Sequence, residues 1–451
     1  MRLRFSDALL DGSELFPALR LLDGTVRQEN QVTAVDENAT TAEEGLAGPP
    51  RTADRLYHDL TTPEEIRSVR MRVRTMASGV VAPVAARIAN GDERTDGFPR
   101  DVFDALAEEG LFKIPFSTDV GGDGLEQPAT ATAVAVEELA YYSNSVAAIF
   151  DVHCILAGNA LNQGSADQRD RWLRPIVGGE IVGAFATSEP AASSDLSPEA
   201  VQTTAVRDGD GWLLNGRKRW ITNSVVAGMI VVLARTGDRL TTFIVPVGTP
   251  GVTITTPDRK LGNRGQITAD VVLDDVRLGP EAVLGEEGGG LKIALQTLTY
   301  GRIGIAAAGV GMAQAAFDHM AHQLRTREAF GGPLAANQHW QFLMADRATE
   351  LEAARDLYLK AARRLDSGIP FPEPEAAMAK LFGTRLSGDI ARDAVQAFGG
   401  FGFTYQRGAD DAPGPVEAIY RDAKIGEIYE GANEIQKWVI ARQIFGRDVT
   451  G

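Results

Sequence analysis

The chain has 451 residues, 44% hydrophobic and 24% charged, which is the composition of a globular protein with two or three packed units. Its net charge of −16 disfavours nonspecific binding to nucleic acid and to anionic membrane surfaces. Cys154 is the only cysteine, so no internal disulfide can form, and no apolar run approaches the length of a bilayer span. These features fit a reducing cytoplasm, and the preference for Arg over Lys is typical of a GC-rich bacterial source.

Residues 1–60 differ in composition from the rest and are predicted to be an N-terminal extension. The stretch from Glu29 to Pro50 is polar, acidic and rich in small residues, which is typical of a linker. Before it, leucines recur at the i, i+4 and i+7 spacing of a short helix: Leu15, Leu19 and Leu22. We therefore expect the extension to contribute nothing to a core.

Residues 61–180 are predicted to form an N-terminal helical domain. Its first helix is expected to start with Thr62 as N-cap, Pro63 in the first turn and acidic residues at the positive end of the dipole. Helical character continues through the alanine-rich run from Ala131 to Ala148. A row of arginines on one face of the first helix indicates a solvated surface: Arg67, Arg70 and Arg74.

Residues 181–290 are predicted to form a compact middle β-domain. Turn signals, including Gly209-Asp210-Gly211 and Asn215-Gly216, separate several short strand-like runs. The predicted strands are Ile181–Thr187, Trp212–Leu214, Arg219–Thr222, Met229–Arg235, Thr242–Val247 and Val271–Leu273.

Residues 291–451 are predicted to form a C-terminal helical bundle. Two stripes at alternating spacings of three and four residues indicate long helices with one buried face. The first stripe is Ile303, Ala306, Val310, Ala313, Phe317, Met320 and Leu324, and the second is Met344, Ala348, Leu351, Ala354, Tyr358, Ala361 and Leu365. Shorter helices around 378–398 and 435–444 would complete the bundle.

A carboxylate stands on a glycine-containing turn between the last two predicted helical stretches. The turn reads Tyr429-Glu430-Gly431-Ala432-Asn433. Glu430 can project into a pocket from this turn, whereas a glutamate inside a helix would face solvent. Because desolvation raises the proton affinity of a carboxylate, Glu430 is suited to act as a general base in a dry cleft.

Two stretches of the β-domain could contact a ligand. Phe185 to Asp195 follows a strand and is dense in small and hydroxylated residues, which let backbone N–H groups approach a ligand; a plain surface loop is the alternative. Trp220 and Thr222 share one face of a strand by period 2 and suit a planar cofactor ring. A tryptophan in a strand is, however, more often part of the core.

Two glycine-containing segments follow long helices. Arg325 to Leu334 contains guanidinium groups that can pair with a pyrophosphate, or that simply complement the helix dipole. Gln396 to Gly402 is a glycine-rich turn that a helix C-cap would also explain.

Taken in order from Thr62 to Arg447, these segments resemble the acyl-CoA dehydrogenase family. The resemblance implies a mostly α fold with a central β-domain: an N-terminal helical domain, a middle β-domain and a C-terminal four-helix bundle. It implies an FAD enzyme that oxidises an acyl thioester to its α,β-enoyl form. Glu430 would remove the α-proton while the β-hydrogen leaves as hydride to flavin N5. An electron-transferring flavoprotein would accept the electrons, and the enzyme would be a homo-oligomer, most often a tetramer.

The resemblance also assigns residues to the cofactor and to the substrate. The implied cofactor residues are Phe185, Thr187, Ser188, Ser194, Trp220, Thr222, Arg327, Phe330, Gln338, Gln396, Gly399, Gly400 and Asn433. The implied substrate residues are Ser194, Arg302, Gly431 and Arg442. A branch of the family carries its catalytic Glu at the position of Gly301, which has no side chain to act as a base.

This sequence departs from the family pattern at several positions. Ser188 replaces a Thr, Ala191-Ala192-Ser193 replaces Gly-Ala-Gly, and Ala432 replaces a Thr. Three other functions stay open at this point: a dehydrogenase acting on an acyl carrier protein, a flavin monooxygenase, and a non-catalytic subunit that only binds a thioester. The monooxygenases of this fold typically lack the Glu at the position of Glu430.

Overall fold

The computed structural model describes residues 48–51, 62–192, 194–407, 412–414 and 416–450. The helix predicted from Leu15, Leu19 and Leu22, the linker up to residue 47 and the loop residue Ser193 lie outside the described residues.

The N-terminal part of the described chain is helical, as predicted. Its α-helices are α1 Glu64–Met76, α2 Ala85–Asn90, α3 Arg100–Glu108, α4 Pro128–Tyr142, α5 Asn144–Phe150, α6 Asn159–Leu161, α7 Ala166–Gln168 and α8 Arg174–Gly178. Helix α1 begins one residue later than expected, with Pro63 as its N-cap. A π-helical segment, Asp151–Gly158, joins α5 to α6, and all of its residues are buried.

The continuous helical stretch Asn144–Leu161 corrects the expectation that no apolar run reaches bilayer length. By length and composition it could cross a membrane, but 94% of it is buried inside the protein. Its apolar character is thus accounted for by packing against neighbouring helices.

The arginine row on α1 is not the solvated surface that its spacing suggested. Arg67 pairs with Glu64 at the surface, but Arg70 and Arg74 face helix α4. Arg74 donates to Glu138 at 3.1 Å, and Arg51 donates to the same carboxylate at 2.7 Å. Arg51 belongs to the predicted extension but is buried, so the expectation that residues 1–60 contribute nothing to the packed domain is wrong at this residue. Glu138 lies in the buried, alanine-rich helix α4. Because its carboxylate is removed from water there, the carboxylate requires cationic partners.

An eight-stranded sheet follows the N-terminal helices and confirms the central β-domain. Its strands are β1 Val182–Ala186, β2 Thr204–Asp208, β3 Gly211–Thr222, β4 Ala227–Thr236, β5 Arg239–Pro246, β6 Val252–Ile254, β7 Thr268–Leu278 and β8 Val283–Leu284. The order is β6-β7-β3-β2-β4-β5-β8, and β1 pairs in parallel with β4. One face encloses a core of its own, in which Trp212 and Phe243 meet edge to face at 5.3 Å.

Strand β3 corrects two sequence predictions. The runs Trp212–Leu214 and Arg219–Thr222 belong to one strand, and Asn215-Gly216 is not a turn but lies where the register against β7 shifts. A second shift between Lys218 and Ile221 gives Trp220 a φ of 57°. Such irregularities change the direction in which a side chain points, and they are common next to active sites.

The C-terminal part is the predicted helical bundle. Its helices are α9 Gly290–Thr326, α10 Gln338–Asp366, α11 Glu375–Phe398, α12 Glu417–Gly426, α13 Asn433–Phe445 and α14 Arg447–Thr450. The stripe from Ile303 to Leu324 is buried throughout, and the stripe on α10 packs into the same core. Because α9 is buried on nearly all sides between residues 299 and 318, it forms the axis against which the other helices pack.

Candidate active site

A cavity of about 1410 Å³ lies between the middle sheet, helices α5 and α9 and the turn before α13. It brings together predicted residues that are far apart in the sequence. Those lining it are Phe185, Thr187, Ser188, Ser194, Trp220, Thr222, Arg302, Glu430, Gly431 and Arg442.

The remaining predicted cofactor residues do not line this cavity. Six of them are exposed on the chain: Arg327, Phe330, Gln338, Gln396, Gly399 and Gly400. The seventh, Asn433, is buried behind the turn that carries Glu430.

The turn between α12 and α13 holds Glu430 in a left-handed conformation. Glu430 has a φ of 53° and Gly431 a φ of 87°. A Cβ at position 431 would also lie 2.8 Å from Gln436 Nε2, so only glycine fits there. The carbonyl oxygen of Gly431 accepts hydrogen bonds from Gln436 at 2.7 Å and from Lys380 at 2.8 Å, which fix the turn.

Lys380 is a functional residue that sequence reasoning missed. It lies on α11, is fully buried, and donates to Asn433 Oδ1 at 3.0 Å in addition to Gly431. Burial lowers its pKa to about 7, although Glu430 acts in the opposite direction. The hydrophobic pattern of α11 gave no signal for it, because a lysine within a helix is ordinarily exposed.

The Glu430 carboxyl faces helix α9 at a position without a side chain. A Cβ on Gly301 would lie 2.7 Å from Glu430 Oε2 and 2.9 Å from Leu156 Cδ2. Oε2 is buried and has no hydrogen-bond partner among the described residues. Burial raises the pKa of Glu430 to about 7, despite the opposing effects of Lys380 and Arg302. A carboxyl with this pKa can both take up and release a proton near neutral pH.

Arg302 lies on α9 and lines the cavity beside the turn that carries Glu430. Its Nη1 donates to Glu373 Oε1 at 2.5 Å, while its buried Nε has no partner among the described residues. Arg442 lines the same cavity with its guanidinium carbon 4.7 Å from the centre of the Trp438 ring. The buried Nε of Arg442 likewise has no hydrogen-bond partner among the described residues.

The sheet supplies the opposite wall through the irregular end of β3. Trp220 is 55% exposed although it lines the cavity, so its ring presents a broad apolar surface there. Simple strand alternation does not place it beside Thr222, since the register shift intervenes. The Thr222 hydroxyl accepts a hydrogen bond from Gln266 at 2.5 Å. Gln266, which also lines the cavity, was not predicted from the sequence.

A buried ion pair holds the loop after β1 in place. Lys218 and Glu189 are 2.7 Å apart with side-chain exposures of 0% and 1%. Lys218 also donates to the carbonyl of Thr187 at 3.3 Å, and Glu189 accepts from the backbone N–H groups of Gln202 and Thr203. These contacts anchor the start of the loop to β3 and to residues 202 and 203.

Asp151 is a second carboxyl in the cavity that the sequence did not single out. It is 1% exposed, and burial together with the neighbouring Glu430 raises its pKa well above its usual range. Its oxygens have no hydrogen-bond partner among the described residues.

The residues at the sheet side of the cavity fit a flavin. A flat aromatic ring, backbone of a hydroxyl-rich loop and polar side chains converge there. The buried hydroxyl of Thr268, which lines the cavity, has no partner among the described residues and remains available to a polar ligand. An isoalloxazine ring is planar and has a polar edge, so it would pack against the aromatic ring and form hydrogen bonds with the polar groups.

Comparisons with known proteins agree with this geometry. The models of the acyl-CoA dehydrogenase N-terminal, middle and C-terminal domains match residues 63–180, 184–276 and 288–445. The mouse mitochondrial short-chain specific acyl-CoA dehydrogenase is 39% identical over 393 residues, 86% of this chain and 91% of its own.

Solved structures show the same fold. Butyryl-CoA dehydrogenase from Megasphaera elsdenii is 33% identical with a TM-score of 0.79, covering 86% of this chain and 99% of its own. A glutaryl-CoA dehydrogenase from Mycobacterium smegmatis in complex with FADH2 is 27% identical with a TM-score of 0.79, covering 89% and 99%. Three domain matches in order, on a fold with a flavin-sized site, place this chain in the acyl-CoA dehydrogenase family of FAD-dependent oxidoreductases.

Proposed function

We propose that this enzyme oxidises a short acyl-CoA to the trans-2-enoyl-CoA, with Glu430 as the base. The observation that carries the proposal is the buried carboxyl of Glu430, with a pKa of about 7, on a turn that hydrogen bonds hold at the cavity. The short chain length rests on the similarity to the short-chain relatives.

Glu430 takes the α-proton of the thioester in this mechanism. Its own backbone N–H donates to the thioester carbonyl and stabilises the negative charge that develops on the oxygen. One such donor contributes about 3 kcal/mol to lowering a barrier of this kind. Lys380 keeps the turn in place, and burial keeps the base partly protonated at neutral pH.

FAD, when bound, accepts the β-hydrogen as a hydride. Trp220 would pack on its ring, Thr222 would donate to N5, Ser188 would contact the pyrimidine edge and Ser194 the pyrophosphate. Phe185 and Thr187 would line the ring, and Arg302 and Gly431 would lie on the substrate side. Arg442 would hold the pantetheine arm of CoA.

The exposed residues outside the cavity would serve a second subunit. In this proposal Arg327, Phe330, Gln338, Gln396, Gly399 and Gly400 of one protomer contact the diphosphate and adenosine of FAD bound by another. Their exposure on the isolated chain supports it, because nothing in the described residues covers the 106% exposed ring of Phe330. The enzyme would then be a homo-oligomer, most simply a tetramer, with an electron-transferring flavoprotein as acceptor in a bacterial cytoplasm.

Arg327→Ala is expected to release FAD more readily than the wild-type protein. The measurement is the flavin-to-protein ratio after gel filtration, together with the oligomer mass. Arg363→Ala, which removes an exposed arginine from the last turn of α10 and outside the predicted segment, is the matched control. A monomer that keeps its full FAD content would refute the proposed arrangement.

Anaerobic reduction tests the proposed reaction itself. The purified protein is expected to be yellow and to bleach when butanoyl-CoA is added without oxygen. A monooxygenase would instead consume oxygen and insert it into the substrate, and a silent subunit would bind the thioester without bleaching. Butanoyl acyl carrier protein, added in parallel, tests the carrier: bleaching by this thioester alone would reject CoA.

A further inference from the structure

Asp151 is a carboxyl that the mechanism does not use. It begins the π-helical segment Asp151–Gly158 and lines the same cavity as Glu430. Neither of its oxygens has a hydrogen-bond partner among the described residues, although the residue is 1% exposed. An unsatisfied buried polar group is destabilising, and so its retention requires an explanation.

Other deeply buried carboxyls in the described chain do have partners. Glu138 accepts from Arg51 and Arg74, and Asp318 accepts from Tyr141 at 3.1 Å and Gln314 at 2.9 Å. Asp151 therefore differs from these carboxyls, which accept hydrogen bonds from other side chains. Its position in the cavity wall suggests that a bound molecule supplies the partner.

The position of Asp151 relative to Glu430 indicates which part of the substrate it meets. A Cβ on Gly304 would overlap Asp151 Oδ1, whereas one on Gly301 would approach Glu430 Oε2. The two carboxyls thus contact helix α9 at positions three residues apart, a rise of about 4.5 Å along its axis. An acyl chain that runs along α9, with its α-carbon at Glu430, would reach Asp151 at about its δ-position.

The protonation state of Asp151 determines the kind of partner. Burial and the neighbouring Glu430 both favour the neutral carboxylic acid. A neutral acid has one O–H to donate, and a cation would gain little from it. The group on a ligand that binds this O–H is an oxygen that accepts a hydrogen bond.

We propose that Asp151 is a specificity-determining residue that donates a hydrogen bond to an oxygen on the acyl chain, at or beyond the γ-carbon. The preferred substrate is then an oxygen-substituted short acyl thioester rather than the plain hydrocarbon chain. This inference rests on the proposed acyl-CoA oxidation.

Two isosteric substrate pairs test the inference. One is 4-oxopentanoyl-CoA with 4-methylpentanoyl-CoA, and the other is 4-methoxybutanoyl-CoA with hexanoyl-CoA. In at least one pair, Asp151→Ala is expected to lower the preference for the oxygenated member, measured as a ratio of kcat/KM values, by about 10- to 100-fold. Asp151→Asn, whose amide still donates, should keep most of the preference. Val152→Ala, which enlarges the same wall without removing a polar group, should leave the preference unchanged.

The same comparison can be made without turnover. In Glu430→Gln protein, with and without Asp151→Ala, titration of the flavin absorbance gives the dissociation constant of each substrate. Within a pair, Asp151→Ala should change the ratio of the two dissociation constants by a factor similar to that expected for kcat/KM. If no thioester reduces the wild-type flavin, the proposed reaction fails, and these binding ratios still decide the role of Asp151.

Unchanged ratios in both pairs would overturn the inference. Tighter binding of 4-(trimethylammonio)butanoyl-CoA than of either oxygenated substrate would also overturn it, since this would reveal an ionised Asp151. A thermal unfolding temperature that Asp151→Ala does not lower would support recognition, and a lower one would indicate a structural role.

Discussion

Glu430→Gln is expected to retain FAD and to lose flavin reduction by about 10²- to 10⁴-fold, the range over which a positioned base accelerates proton transfer. The amide keeps the shape of the side chain but cannot take the α-proton. The measurement is the rate of anaerobic flavin reduction by butanoyl-CoA in a stopped-flow instrument, with the FAD content measured on the same preparation.

Glu434→Gln is the matched control for this variant. It makes the same chemical change four residues later, on an exposed residue that does not line the cavity. Its flavin should be reduced at close to the wild-type rate. Reduction of the Glu430→Gln flavin at that rate would show that another group is the base.

The pH dependence gives a second measure of the same base. Because the pKa of Glu430 is raised to about 7, the carboxylate that accepts the proton predominates above this pH and is lost below it. The rate of flavin reduction should therefore rise with pH through about 7 and level off above it. In Glu430→Gln this limb of the profile should be absent.

Glu138→Gln is expected to destabilise the fold by about 3–5 kcal/mol, the usual effect of removing one partner from a buried ion pair. The change leaves the buried guanidinium groups of Arg51 and Arg74 without the carboxylate that now accepts from both. Burial alone would raise the pKa of Glu138, but these arginines hold it well below its usual range. Urea unfolding of the FAD-loaded protein measures the loss.

Asp101→Asn controls for the loss of an ion pair as such. Asp101 pairs with Arg87 at 2.6 Å, but both side chains are more than half exposed, at 61% and 52%. Water screens such a pair, and so the unfolding midpoint should move much less than in Glu138→Gln. Equal shifts in the two variants would show that the Glu138 cluster contributes no more than a surface pair.

The helical parts of the fold were predictable because hydrophobic spacing reports burial directly. The stripe from Ile303 to Leu324 is the clearest case, since each of its members is buried as its period required. The single strand Gly211–Thr222 was not predictable, because Asn215-Gly216 has the composition of a hairpin turn and only pairing with β7 reveals the irregularity.

The candidate site was predictable only where a residue stands in a recognisable segment. Glu430 and Trp220 stand in such segments. Lys380 and Asp151 do not. Lys218 stands in the same segment as Trp220, but its role was not predicted, because a lysine or aspartate in a helix or strand is ordinarily a surface residue. Their burial arises from packing between distant segments, as with the arginines of α1 and Glu138 of α4.

The close approach of Gly301 to Glu430 limits how a catalytic base could change its position during evolution. The side chain of a glutamate at position 301 would begin 2.7 Å from Glu430 Oε2, so a second carboxyl would have to be accommodated close to the first. Two carboxyls so close cannot both be ionised, so one would hold a proton at neutral pH and oppose the other's role. An ancestor with both residues would have carried a compromised site, and one with neither would have had no base. With Glu430 as the proposed base, moving the base to position 301 would therefore require changes at both positions together.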